Sequence, residues 1–288
     1  MIQTTVADGD DPRFVALGHH FTLRCTHAGL RRYLLTLLAP FASSRPAPTH
    51  YRLDIDPGGT SSVWFGDACV VRTGDAAHAV AMFLWHLNQE TIRVTTDRLL
   101  LHAGVVARDG RAVLLPAGME AGKTTLVTTL VRAGAQYLSD ELAALDPVTL
   151  EVAAYPKALS LDAGSWELFP DLEPDVDPAV LPLLPHQWQV PPDAVRAGSV
   201  RESATPTLIV LPRYRPSVRT ALRRLEPVDA LRELAGCTFG FREAPQRSLD
   251  VLGRLAAAVP AYRLSVSDLS EATDLVFDAL ARGVGTCA

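Results

Sequence analysis

Apolar and polar positions alternate through the first part of the chain. Phe21–Thr22–Leu23–Arg24–Cys25 and Tyr51–Arg52–Leu53–Asp54–Ile55 keep a period of two, the spacing of a strand with one buried face. Pro57-Gly58-Gly59 marks a turn ahead of Ser62–Val63–Trp64–Phe65. Residues 15–71 are therefore expected to be strands, broken by a loop over Pro40 to Pro48. From Asp75 to Asn88 the period changes. Ala79, Met82, Phe83 and Leu87 fall on one face of a helix.

A second section opens near Thr91. The apolar run 99–106 predicts a buried strand, Asp109-Gly110 a hairpin turn, and 112–115 the returning strand. A helix is expected from about Gly122 to Ala133, stopped by Gly134. Further strands are expected at 142–145, 152–155, 207–211, 221–225 and 262–264. Helices are expected from Pro227 and over 244–258 and 267–281. Residues 171–192 are rich in proline and acid and read as a long loop that could face a substrate. Two sections follow: 1–92, β-rich with one helix, and 93–288, a domain of mixed α and β elements. No internal repeat is visible.

Composition narrows the function classes. The 288 residues are 48% hydrophobic, enough for a sizeable core. A net charge of -5 gives no general attraction for nucleic acid or an anionic membrane. Five arginines between Arg213 and Arg224 are interrupted by proline and apolar residues and read as a solvated strand-and-turn face. Cys25, Cys69, Cys237 and Cys287 are widely spaced, which suggests neither a zinc site nor a disulfide framework. Residues 1–13 are acidic and lack an apolar signal core, and no apolar run is long enough to span a bilayer. A cytoplasmic protein is expected.

The chemistry concentrates in Leu114 to Leu126. An apolar strand leads into a loop ending in Gly122–Lys123–Thr124, and a helix follows, the arrangement of a nucleotide-binding P-loop. A helix start presents unpaired N–H groups to phosphate oxygens. Gly118, Ala121, Gly122, Lys123, Thr124 and Thr125 are the candidate phosphate-binding residues. Gly122 lets the backbone approach, Lys123 brings an ammonium to the outer phosphates, and the Thr124 hydroxyl suits Mg²⁺. Two positions depart from the pattern. Ala117 stands where glycine is expected, and Glu120 brings a carboxylate into a loop meant for phosphates. Downstream, Asp140–Glu141 is either a polar turn at a strand end or a carboxylate pair near the terminal phosphate. His102 lies on the neighbouring strand, as a core histidine or as a partner of Asp140.

The order His102–Ala103–Gly104–Val105, Asp-Gly turn, P-loop and Ser139–Asp140–Glu141 resembles the kinase domain of HPr kinase/phosphorylase. It resembles more closely the HPr-kinase-like proteins of bacterial peptide-modification clusters. The likeness runs from about Leu99 to Leu280 and includes Ile209–Val210–Leu211–Pro212–Arg213–Tyr214, Phe239–Gly240–Phe241–Arg242 and Val259–Pro260–Ala261–Tyr262–Arg263–Leu264. The resemblance implies an α/β fold in which the P-loop sits in a mixed sheet like that of phosphoenolpyruvate carboxykinase. It implies ATP and Mg²⁺, with Asp140 as the catalytic carboxylate, Glu141 as a second acid for metal, and His102 beside them. Asp140 and Thr124 would share the metal with Glu141, and Lys123 would serve catalysis. Arg213, Arg242 and Arg263 are candidate phosphate contacts. The expected activity is phosphorylation of a hydroxyl, serine first, on a peptide or protein. Other peptide-modification enzymes are expected partners, and a homo-oligomer is allowed. Ala117 and Glu120 keep open a nucleotide-binding module that recruits a peptide or partner enzyme without chemistry, and a small-molecule kinase is a third possibility.

Overall fold

The computed structural model describes residues 11–118 and 121–282. They form a mixed α/β structure in two compact units. One holds the residues up to Thr95 together with Asp162–Pro191, and the other holds Thr96–Leu161 together with the residues from Pro192 on. None of the described helices is long and apolar enough to cross a membrane.

The first unit begins with β1 (Arg13–Ala16), β2 (His19–Cys25), α1 (Ala28–Leu38), β3 (Thr49–Asp54), β4 (Ser61–Phe65), β5 (Ala68–Thr73) and α2 (Ala76–Val94). Its strands pair in sequence order. β2 and β3 are parallel, and the other pairs are antiparallel. The two alternating runs bury Phe21, Leu23, Tyr51 and Leu53, with Phe83 of α2 also in the core. Asp75 caps α2 by accepting from the His78 N–H at 3.1 Å. The expectation of strands throughout 15–71 fails at α1. Parallel β2 and β3 cannot be joined by a tight turn. The connection is a helix that buries Leu30, Leu34, Leu37 and Leu38, and His27 caps it by accepting from the Leu30 N–H.

His19 lies inside this unit, 2% exposed, with Nδ1 3.3 Å from Thr91 Oγ1 and Nε2 3.4 Å from Thr49 Oγ1. Burial pushes its imidazole from 6.5 down to about 4. Glu90 opposes the shift, and His86, Arg93 and His20 add to it. The unfolded chain takes up this proton near pH 6.5, and the folded chain does so only near 4. Stability therefore falls as pH drops through that window, with a slope of up to about 1.4 kcal/mol per pH unit. Denaturant melts of wild type and His19→Gln across this range should show a shallower decline for the variant.

The second unit contains β6 (Leu99–Arg108), β7 (Arg111–Pro116), α3 (Lys123–Arg132), β8 (Gln136–Ser139), β9 (Leu142–Leu145), β10 (Val152–Ala153) and β11 (Leu159–Leu161). The segment α4 (Ala163–Trp166) to β12 (Trp188–Val190) belongs to the first unit. Residues 171–192, expected as a loop, carry little regular structure beyond two short 3-10 turns and β12. The second unit resumes with α5 (Pro192–Val195), β13 (Ser203–Tyr214), β14 (Ala221–Leu225), α6 (Pro227–Gly236), α7 (Pro245–Ala258), β15 (Ala261–Val266) and α8 (Leu269–Arg282). The strand expected over 152–155 is shorter, because only Val152 and Ala153 keep the ladder.

The sheet order is β10-β9-β6-β7-β13-β15-β14. β7, β13 and β15 run parallel, and antiparallel strands lie on both flanks. Asp109 and Gly110 close the β6–β7 hairpin with φ of 52° and 78°, as two-residue turns of this kind require. Successive residues of β6 face opposite sides of the sheet. Leu99, Leu101, Ala103 and Val105 join a core with Leu234, Leu252 and Leu255 from α6 and α7. The other face carries His102, Gly104 and Val106 and receives α3.

Gly104 allows that approach. A Cβ there would lie 2.6 Å from Val127 Cγ2 and 3.3 Å from Lys123 Cγ. The Val127 methyl would have to shift and the Lys123 stem to give by a few tenths of an ångström. Gly104→Ala is expected to destabilise by about 1–3 kcal/mol through overpacking. Urea unfolding measures it.

Candidate functional site

One edge of β6 is covered in two pieces. Leu99 to His102 pair with β9, and Val105 to Ala107 pair with β8. The two pieces are consecutive in sequence, so Asp140 and Glu141 occupy the break between them. Ser139 makes the break possible. Its Oγ accepts from the Glu141 N–H at 3.0 Å and the Leu142 N–H at 2.9 Å, replacing lost ladder bonds. The Ala103 N–H donates to the Glu141 carbonyl at 3.1 Å. Two carboxylates are thereby held beside His102 and opposite the end of β7.

The loop after β7 leads to one cation, Lys123. Gly122 has φ 78°, the left-handed region, and is the N-cap of α3. Its position fixes Lys123 and Thr124 on the first turn. Lys123 is 7% exposed, and its Nζ donates to His102 Nε2 at 2.7 Å. An ammonium has no lone pair, so the ring nitrogen accepts and the histidine proton lies on Nδ1. Burial, with Lys123 alongside, lowers His102 below its ordinary value against the pull of Glu141 and Asp140. His102 Nε2 also lies 3.5 Å from Glu141 Oε1. Burial lowers the Lys123 ammonium too, again opposed by Glu141 and Asp140.

Asp140 is 2% exposed and sits between the two halves of the cluster. Its Oδ2 accepts from Thr124 Oγ1 at 3.3 Å, and its Oδ1 accepts from Tyr137 Oη at 3.1 Å. Lys157 Nζ lies 3.1 Å from the same Oδ1. Burial pulls the Lys157 ammonium down, but the charges of Asp140 and Glu141 outweigh it and hold it above its ordinary value. Lys157 was not among the residues expected from the sequence, and no motif spacing announces it.

Lys123, Thr124, Asp140, Glu141 and His102 thus come together as one cluster. Thr125 follows on the same helical turn, Ala121 and Gly122 are half-buried, and Gly118 is exposed. Ala117 is buried at the loop's start. Glu120 lies outside the described residues. The three arginines do not join the cluster: Arg263 donates to Glu233, Arg213 lies 3.7 Å from the same carboxylate, and Arg242 is exposed between α6 and α7. Cys25, Cys69 and Cys237 are free thiols, and Cys287 lies outside the described residues.

Among the described residues, an added Cβ at Gly118 would meet nothing within 4 Å. A hydroxyl and two carboxylates supply oxygen ligands, the type Mg²⁺ takes. The described residues contain no group of three or more His, Cys, Asp or Glu side chains placed to hold a metal by themselves.

No protein-family model matches the chain, and no curated protein matches it in sequence. Among solved structures, the HPr(Ser) kinase/phosphatase from Coxiella burnetii is similar at 12% identity and a TM-score of 0.34. The match covers 65% of this chain and 99% of that one.

Proposed function

We propose that the protein is an ATP- and Mg²⁺-dependent kinase that transfers the terminal phosphoryl group to a hydroxyl, serine first, of a peptide or protein. The observation that carries this reading is the contact of Thr124 on the first turn of α3 with the buried carboxylate of Asp140. It joins the expected phosphate-binding helix tip to the expected acid. The order of motifs shared with HPr-kinase-like proteins agrees with it.

In this reading the helix tip and Lys123 hold the phosphates. Thr124 and Glu141 would hold Mg²⁺, which when bound neutralises charge developing on the phosphate oxygens. An ionised carboxylate offers about four acceptor sites. Lys157, Tyr137 and Thr124 use three at Asp140. The remaining one can take the proton of the acceptor hydroxyl as its oxygen attacks the γ-phosphorus and the bond to the β-phosphate breaks. Most of the rate would come from positioning.

A second reading, a nucleotide-binding module without transfer, is favoured by the burial of Lys123 and its bond to His102. Incubation with γ-labelled ATP and Mg²⁺ separates the two. The kinase reading predicts label released to water slowly and transferred faster to hydroxyl-bearing peptides. Binding with no transfer to any acceptor favours the module. Absence of binding at millimolar ATP removes both.

A further inference from the structure

The site holds two lysines, and their bonding differs. A lysine ammonium has three N–H donors. Lys157 directs its three toward Asp140 Oδ1 at 3.1 Å, the Ala158 carbonyl at 3.0 Å and Ser160 Oγ at 3.3 Å. Its own carbonyl lies 2.9 Å from Tyr137 Oη, whose one proton is shared between that carbonyl and Asp140 Oδ1. Lys123 makes one hydrogen bond through Nζ among the described residues, to His102. Moving Lys157 onto a phosphate would break three bonds and strip Asp140 of its cation. Moving Lys123 breaks one.

We infer that Lys157 is a positioning residue: it fixes the Asp140 carboxylate against Thr124 and touches no phosphate, while Lys123 is the ammonium that moves. This inference rests on the proposed kinase reading. Tyr137 takes part in the same clamp, because its hydroxyl lies within reach of both Asp140 Oδ1 and the Lys157 carbonyl. With Oδ1 held from two sides, Oδ2 keeps its direction toward Thr124. Without Lys157 the carboxylate can rotate away, and a shift of about 1 Å at a reacting group costs roughly 100-fold in rate.

The test compares wild type, Lys157→Met and Lys157→Arg in three measurements: ATP affinity by calorimetry with Mg²⁺, release of labelled phosphate from γ-labelled ATP, and a thermal melt. Lys157→Met is expected to lower the release rate roughly 100-fold while ATP affinity stays within about 2-fold, the mark of a group that acts on the reaction and not on binding. Lys157→Arg should recover part of the loss. It keeps the charge but cannot aim three donors from one point. Equal losses of affinity and rate would make Lys157 a phosphate ligand and overturn the inference, as would an unchanged rate. If Lys157→Met fails to fold, Lys157→Arg decides: a lowered rate with kept affinity supports the role, and an unchanged rate overturns it. If wild type neither binds nor hydrolyses ATP, the kinase reading falls on its own. The crystal structure of a folded Lys157 variant then decides the positioning role. Loss of the Asp140–Thr124 contact supports it, and an unmoved carboxylate overturns it.

Discussion

Lys123→Met is expected to remove phosphoryl transfer and to leave the fold as stable as before, or more so. The ammonium is buried, and burial lowers its affinity for a proton. A lysine whose folded pKa lies below its unfolded value costs stability wherever it is charged in both states. Methionine has a similar length and no charge. It fills the space over Gly104 without demanding a partner, and His102 loses only an acceptor bond. Replacing a buried charge by a well-packed apolar side chain is often neutral or stabilising. Function should go the other way. With the ammonium gone, transfer should fall on the order of 10²–10³-fold or more, as when one charge-stabilising donor is removed from a reacting centre. ATP affinity should fall with it. A thermal melt and a labelled-phosphate assay on the same preparation check both halves. A large drop in melting temperature would mean that Lys123 serves the fold.

Substitution of Asp140 should separate two effects that coincide in the native protein. Asp140→Ala leaves Lys157 without its anion and takes from Thr124 the carboxylate it bonds, while Tyr137 keeps the Lys157 carbonyl as acceptor. Breaking a buried pair by removing one partner costs about 3–5 kcal/mol. The melting temperature should drop by many degrees, and transfer should disappear. Asp140→Asn keeps an oxygen for Lys157 and Tyr137 and places an amide against Thr124 Oγ1. It should lose less stability than the alanine variant, yet transfer should still fall by about 10²–10⁴-fold, the range for removing a general base. An asparagine variant with native rate would show that Asp140 only anchors Thr124 and Lys157.

Strand β7, the helix α3 after it and the Asp-Gly hairpin were legible because local rules produce them: an apolar run, a two-residue turn, and glycines where φ is positive. The approach of His102, Lys123 and Asp140 was legible only in part. Sequence order suggested it, but the break in the β6 edge that creates it depends on Ser139 bonding back to two backbone amides. Lys157 was invisible. It lies in the irregular stretch after β10 and reaches the site only because the Tyr155 N–H bonds the Leu138 carbonyl and lays that stretch along β8. Helix α1 was missed because the alternating runs on either side dominate the pattern. Its leucines do carry a helical spacing, Leu30, Leu34, Leu37 and Leu38. The association of Asp162–Pro191 with the first unit is tertiary. Val180 and Leu183 are buried there, but nothing in a proline-rich run says what will cover them. The arginines were chosen by resemblance, and the sequence gives no sign that Arg263 and Arg213 turn toward Glu233.

The decisive measurement is a crystal structure with Mg²⁺ and a non-hydrolysable ATP analogue. Lys123 Nζ is expected to leave His102 for the outer phosphates while Lys157 stays on Asp140. A nucleotide bound elsewhere, or none bound with Lys123 still on His102, would contradict it.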